Sequence, residues 1–430
     1  MVRGLPAGSE VEIRTSDGRS YRGTFLPSHE LSGPRIVRLK LPSGYNIGVR
    51  VGPGDAIAIL SRNGNGSGPG AAPPARSEPP QGSDGRPWVA LLTTGGTIAS
   101  RVDYRTGGVR PAKDEAEILS FYPNLEREGP VRVIPVLDRL SEEIAPADWT
   151  TIADRVAKTF TEGARGVVVA HGTDTLAYTA AALSFALRDL PGPVVLVGAQ
   201  RSPDRPSSDG ASNLQAATHV ARTADLGEVV VLMHEGLSDT SFSLHRGTRV
   251  RKMHSSRRDA FRTQNGPPLG RLKDQQLTLS ADARPSVSGP VRLDPRLDPE
   301  ASLLWFHPGL GPARAEQYVG GLRGVILAGT GLGHVSSLHL PWIRTAVARG
   351  VFVGMTTQCL EGSADPFVYA TGRELLRAGV TYLGDMLPET AYVKLLFGLG
   401  RYANASELRG FMLTDVAGEI AYRHPLECPR

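Results

Sequence analysis

Cysteine is almost missing from this chain of 430 residues, and the two present, Cys359 and Cys428, make no disulfide framework and match no zinc-ligand spacing. Both read as ordinary thiols. Long apolar runs are missing too: Gly, Arg or Asp cuts them well before the ~18 residues that a membrane-spanning helix needs. The opening MVRGLPAGSEVEIR has no apolar centre of the kind a secretory signal carries, so no membrane role is expected and the cytoplasm is the expected compartment. Neither sign of charge dominates. A formal net charge of +5 over 430 residues permits contact with nucleic acid without arguing for it. Lysine is scarce, with six among the 48 basic residues, so a lysine at a given position, Lys252 above all, carries information.

What is present is the pattern of a globular α/β protein, with 40% hydrophobic and 21% charged residues and enough length for two or three domains. The first part alternates like short antiparallel strands. Val11 and Ile13 lead into the turn Ser16-Asp17-Gly18, and Tyr21, Gly23 and Phe25 follow it. Val37, Leu39 and Leu41 alternate before Pro42-Ser43-Gly44, Tyr45, Ile47, Val49 and Val51 after it, and residues 56–60 form a last strand. The expectation is a small SH3-like β-barrel over 1–61. Residues 62–86, rich in Gly, Pro and Ser, read as a flexible linker. Beyond it strands alternate with helices. Strands are expected at 88–92, 131–137, 166–170, 194–197 and 229–232, the last three as buried parallel strands, and helices at 146–160, 175–187 and 208–222. The polar, proline-rich stretch 263–299 reads as a connection between lobes. A second α/β unit follows, with strands near 303–306, 324–327 and 351–355, so the core divides into 87–285 and 300–430.

In an open parallel sheet, ligands collect at the carboxyl ends of the strands. Two segments have that placement: Thr93-Thr94-Gly95-Gly96-Thr97 after the first strand, and His171-Gly172-Thr173-Asp174-Thr175 before a helix. Each has an ordinary explanation when taken alone. Thr173 or Asp174 would serve as a helix N-cap, Gly-Gly-Thr as a tight turn, and Lys252 as a solvated lysine. A nucleotide loop is a poor fit, because neither G-x-x-x-x-G-K-[ST] nor G-x-G-x-x-G stands at the first turn.

The combination is more specific than its parts. TTGGTIAS (93–100), AHGTDTLAYTA (170–180) and PVVLVGAQRSPDRPSSDGASNLQAA (193–217), in that order, resemble the core segments of the L-asparaginase family, and the resemblance runs from about residue 87 to the end. It implies a two-lobed, parallel-sheet α/β core and hydrolysis of a side-chain amide, with no metal. Carried over by motif, Thr97 would be the nucleophile, Thr173 and Asp174 the catalytic pair, and Lys252 the essential lysine. Ser141 and Glu142 would hold the substrate's carboxylate and ammonium, Gly96 and Gly172 would line the substrate, and Tyr104 would sit on a mobile lid. The chemistry suits these roles. A threonine hydroxyl is a weak nucleophile and needs a base, which Lys252 would supply by way of Thr173. Backbone N–H groups near Thr97 and Thr173 would receive the oxyanion, a contribution of roughly 10²–10³ in rate per donor.

Free-standing asparaginases usually begin at the strand carrying the first motif, and this chain does not. The N-terminal barrel, the linker, the lid TIASRVDYRTGGVRP and the tract HRGTRVRKMHSSRRDAFR (245–262) resemble the D subunits of archaeal glutamyl-tRNA(Gln) amidotransferases. The resemblance implies a subunit without its own cofactor that releases ammonia from glutamine or asparagine. The partner E subunit would hold Glu-tRNA(Gln) and use ATP with magnesium to activate it. A homodimeric core within a heterotetramer of two D and two E subunits follows from the same resemblance. A free-standing asparaginase with an accessory domain is the alternative. The basic tract, with Arg246, Arg249, Arg251, Lys252, Arg257, Arg258 and Arg262, reads either as a solvated face or as a contact for a partner subunit or tRNA phosphates. No aromatic-interleaved platform accompanies it, so the chain is not expected to be the main RNA binder.

Overall fold

The computed structural model describes residues 5–421 except 7, 27–32, 34, 43–45, 62–86, 96–99, 103–108, 112–117, 119–121, 123 and 202–207. The expected linker, Gly96, Thr97, Tyr104 and Cys428 therefore lie outside the described residues.

The N-terminal segment forms a five-stranded antiparallel sheet in the order Asn46–Arg50, Ile36–Lys40, Ser20–Leu26, Glu10–Arg14, Ala56–Ser61. Alternation decides which side is buried: Val11, Ile13, Phe25, Val37, Leu39 and Val49 point into one small core.

A larger sheet begins at Val89–Thr93. Five parallel strands lie in the order Val131–Pro135, Val89–Thr93, Gly166–Ala170, Val194–Val197 and Val229–His234. Their apolar runs are unbroken because helices cover both faces. Val167 and Val169 pack with Trp149, Ile152 and Val156 of the helix Pro146–Thr161 and with the helix Leu176–Ala186. Val168 and Ala170, on the other face, pack with Leu214, Ala217 and Val220 of the helix Gly210–Thr223. The sheet is mixed, not purely parallel: Ser241–Arg246, Gly270–Lys273 and Gln276–Leu279 extend it antiparallel.

Two of these extra strands fall in the stretch read as a plain connection between lobes. They are joined by Asp274 and Gln275, with φ of +47° and +66°. Two consecutive left-handed residues make the two-residue hairpin turn that Asn-Gly or Gly usually announces, so Asp-Gln hid the hairpin from the sequence.

The second lobe is a parallel sheet in the order Ala301–Trp305, Gly324–Gly329, Phe352–Thr357, Thr381–Tyr382. Its helix Pro388–Arg401 packs against Leu176–Ala186 of the first lobe, with the Phe185 and Phe397 rings 6.3 Å apart. Leu183 and Phe185 share one apolar cluster with Ile326, Leu395 and Leu399, so a single core crosses from lobe to lobe. No helix among the described residues is long and apolar enough to cross a membrane.

Candidate active site

Ranked by chain order, the five parallel strands lie 2-1-3-4-5 across the sheet. The chain leaves the first strand in one direction and later returns to its other side, which opens a crevice between the carboxyl ends of Val89–Thr93 and Gly166–Ala170. Both motif loops emerge there. The backbone N–H of Thr94 donates to the carbonyl of Ala170 at 3.1 Å and the Thr94 hydroxyl donates to the same oxygen at 3.2 Å, which ties the loops together.

The second loop is stiffened from below by His171, which is fully buried. The Trp149 indole N–H lies 3.2 Å from the Thr179 hydroxyl oxygen, Thr179 lies 2.9 Å from His171 Nε2, and His171 Nδ1 lies 2.7 Å from the Gly172 carbonyl. One proton arrangement satisfies all three: Thr179 donates to Nε2 and Nδ1–H donates to Gly172. Burial pushes the imidazole down to about 4, which keeps that neutral tautomer.

Above this support the loop turns its polar side chains outward. Lys252 Nζ donates to Thr173 Oγ1 at 2.8 Å and to Asp174 Oδ1 at 2.6 Å, joining residues 79 and 78 positions apart in sequence. The Lys252 side chain is 13% exposed and that of Asp174 68%, so the amine lies in the wall and the carboxylate at the mouth. The N-cap explanation for Thr173 and Asp174 fails here. The helix is capped at Thr175 without any side-chain cap bond, and the Thr175 hydroxyl donates instead to the Ser141 carbonyl at 2.6 Å.

Ser141 is buried directly behind the loop. A Cβ on Gly172 would stand 2.7 Å from Ser141 Cβ, so only glycine lets the two segments meet. The Ser141 hydroxyl donates to Glu142 Oε2 at 3.3 Å, with the Glu142 side chain at the surface. The structure thus gathers Thr173, Asp174, Lys252, Gly172 and Ser141 around one crevice. A neighbour that the sequence did not single out is Gly198, where a Cβ would stand 2.6 Å from the Thr173 methyl group. The buried Asp209 was missed as well: its carboxylate accepts the backbone N–H groups of Gln200 and Arg201 at 3.0 Å and fixes the start of the third motif loop. Both residues stand inside the quoted third segment, where nothing marks them apart from their neighbours.

Lys252 is delivered by a short hairpin, Val250–Lys252 against Phe261–Thr263, with Phe261 fully buried. The basic tract around it is neither a plain solvated face nor a bare cationic surface, because each of its seven cations has a carboxylate within the chain. Arg246 pairs with Glu228 at 2.7 Å, Arg249 with Asp385 at 2.7 Å, Arg251 with Glu389 at 3.0 Å and Lys252 with Asp174 at 2.6 Å. Arg257 and Arg262 share Asp259 at 2.8 and 2.9 Å, and Arg258 meets Asp239 at 2.8 Å. Two of these acids, Asp385 and Glu389, belong to the second lobe. Thr248 and Arg249 also donate to the carbonyls of Ala417 and Gly418, and Thr390 donates back to the carbonyl of Thr248. The tract is therefore a clasp between lobes that ends on the lysine. Among the described residues no group of three or more His, Cys, Asp or Glu side chains is placed to hold a metal ion.

Known proteins resemble the chain along nearly its whole length. Family models described as "GatD N-terminal domain", "Asparaginase, N-terminal" and "Glutaminase/Asparaginase C-terminal domain" match residues 5–60, 88–284 and 302–412. The D subunit of the glutamyl-tRNA(Gln) amidotransferase of Saccharolobus islandicus is 45% identical over 427 residues, 98% of this chain and 94% of that protein. Its counterpart from Metallosphaera sedula is 44% identical over 99% of this chain and 94% of its own length. Among solved structures, the thermostable L-asparaginase from Thermococcus kodakarensis superposes with a TM-score of 0.72 at 34% identity, over 78% of this chain and 100% of that one.

Proposed function

The chain belongs to the family of glutamyl-tRNA(Gln) amidotransferase D subunits, built on an asparaginase core, and on that premise we propose that it hydrolyses a side-chain amide and supplies the ammonia that converts Glu-tRNA(Gln) to Gln-tRNA(Gln). The observation that carries the chemistry is the Lys252 amine held on Thr173 Oγ1 and Asp174 Oδ1 at the switch point of the sheet. In the proposed reaction the Thr97 hydroxyl attacks the amide carbon and its proton passes through Thr173 to Lys252. The carbon–nitrogen bond breaks, the nitrogen leaves with a proton as ammonia, and water then hydrolyses the acyl-threonine. Ser141 and Glu142 hold the substrate's carboxylate and ammonium, Gly96 and Gly172 line it, and Tyr104 closes over it.

The division follows the same reading: an N-terminal barrel over 1–61, a linker over 62–86, and catalytic lobes over 87–285 and 300–430. Glutamine or asparagine is the donor. This subunit takes no cofactor, and ATP with magnesium acts at the E subunit, which also makes most of the contact with Glu-tRNA(Gln). Two D and two E subunits assemble on a D homodimer in the cytoplasm.

Ammonia release by the chain alone, with its E partner, and with partner and Glu-tRNA(Gln) tests the assignment. Release that rises on adding partner and tRNA supports it, whereas full asparagine turnover without them favours a free-standing asparaginase. Thr97→Ala with a normal melting curve and undiminished release would remove the nucleophile from the scheme.

A further inference from the structure

At the amino ends of the strands Val194–Val197 and Val229–His234, on the side of the sheet away from the catalytic crevice, lies a cavity of about 180 Å³. Its walls include Arg188, Arg284 and Arg292, together with the acids Asp189 and Glu228. Arg188 and Arg292 are direct partners in the short antiparallel ladder of Leu187–Arg188 against Arg292–Leu293. Like charges opposite one another in a ladder are destabilising.

The acids nearby are shared with other groups. Glu228 takes the Nε and Nη2 of Arg246 at 2.7 and 3.0 Å and the backbone N–H of Arg284 at 2.8 Å. Glu419 takes the Lys394 amine at 2.5 Å and the backbone N–H groups of Val416 and Ala417. Asp189 ion-pairs with Arg292 at 3.4 Å, and Asp415 ion-pairs with Arg284 at 3.4 Å while its other oxygen accepts the backbone N–H of Ile420 at 3.4 Å. The guanidinium of Arg188, half-buried, has no hydrogen-bond or ion-pair partner among the described residues. Burial, followed by the neighbouring Arg284, lowers its affinity for the proton, while Glu419 and Asp189 act the other way; three guanidinium groups face the cavity against two carboxylates in its walls.

We propose that this cavity is a binding site for a phosphate group, free or borne on a nucleotide, held by the guanidinium groups of Arg188, Arg284 and Arg292. Guanidinium forks match the oxygens of phosphate, and a group carrying up to two negative charges offsets more of this cluster than a carboxylate does.

The test is calorimetric titration and thermal melting of the full chain with inorganic phosphate, AMP and acetate at constant ionic strength. Saturable binding of phosphate or AMP, weaker for acetate, is expected, together with a concentration-dependent rise in Tm. Preference for phosphate identifies the free ion as the ligand, and preference for AMP the nucleotide. Arg188→Gln should raise the apparent Kd at least tenfold. The exposed Arg292→Gln, which leaves the core untouched, should weaken binding in the same direction. No saturable binding by the wild type, equal response to acetate, or unchanged affinity in both variants would overturn the proposal.

Discussion

Lys252 is the inner member of its ion pair, set in the wall of the crevice with Asp174 at the mouth, and that position separates its two contributions. Its partner Asp174 is 68% exposed, and pairs open to water to that degree add little to stability. Lys252→Met is therefore expected to leave the melting temperature nearly unchanged while ammonia release falls by about 10²–10⁴, the usual worth of a positioned acid–base group. A proportionate loss of both would assign the lysine to the fold alone. The buried histidines behave oppositely. An ordinary imidazole titrates near 6.5, whereas burial holds His171 at about 4 and His245 at about 3. Between these values the unfolded chain binds protons that the folded chain refuses. The stability tied to the neutral rings is thus complete above pH 6.5 and drains away as the pH falls towards 4. His245→Asn should flatten the decline of Tm over that window, and melting curves with the same slope as wild type would refute this.

The elements differ in how plainly the sequence announced them. Gly166–Ala170 and Val194–Val197 could be located to the residue because a strand covered on both faces is apolar throughout. The Gly270–Leu279 hairpin could not, since its turn consists of Asp274 and Gln275 in left-handed conformations. Gln275→Gly should relieve that strain and stabilise the protein by up to about 1 kcal/mol in denaturant titration, because glycine adopts positive φ at no steric cost. The site was legible as residue types in motif order. The contacts that hold it were not: Thr173 and Asp174 fit a helix cap equally well on sequence grounds, and Arg249 meets Asp385 across 136 residues that share no pattern. That pair is nearly buried, at 10% and 1% exposed. Arg249→Met leaves Asp385 without its cation and should cost about 3–5 kcal/mol, with Asp385→Asn in the same chain recovering part of it. Additive losses in a double-mutant cycle would show that the two side chains act independently.

At the scale of the whole molecule, the two lobes are joined by more than the segment between them. Phe185 and Leu183 share a core with Leu395, Phe397 and Leu399, and the helices that carry them lie against each other. A protease site introduced at the exposed Gly289 should therefore yield two fragments that elute together and melt in one transition. Two separate peaks or two transitions would contradict a common core.

The clasp that ends on Lys252 has a consequence for how such chains can be recombined. Two of its arginines, Arg249 and Arg251, meet acids that grow from the other lobe, so grafting a foreign second half onto this first half would strand them opposite unmatched side chains. A working hybrid would need to inherit residues 245–262 together with the segment bearing Asp385 and Glu389, as one indivisible parcel. The crossover points open to evolution or to the engineer then lie around that parcel, not at the visible boundary between the lobes.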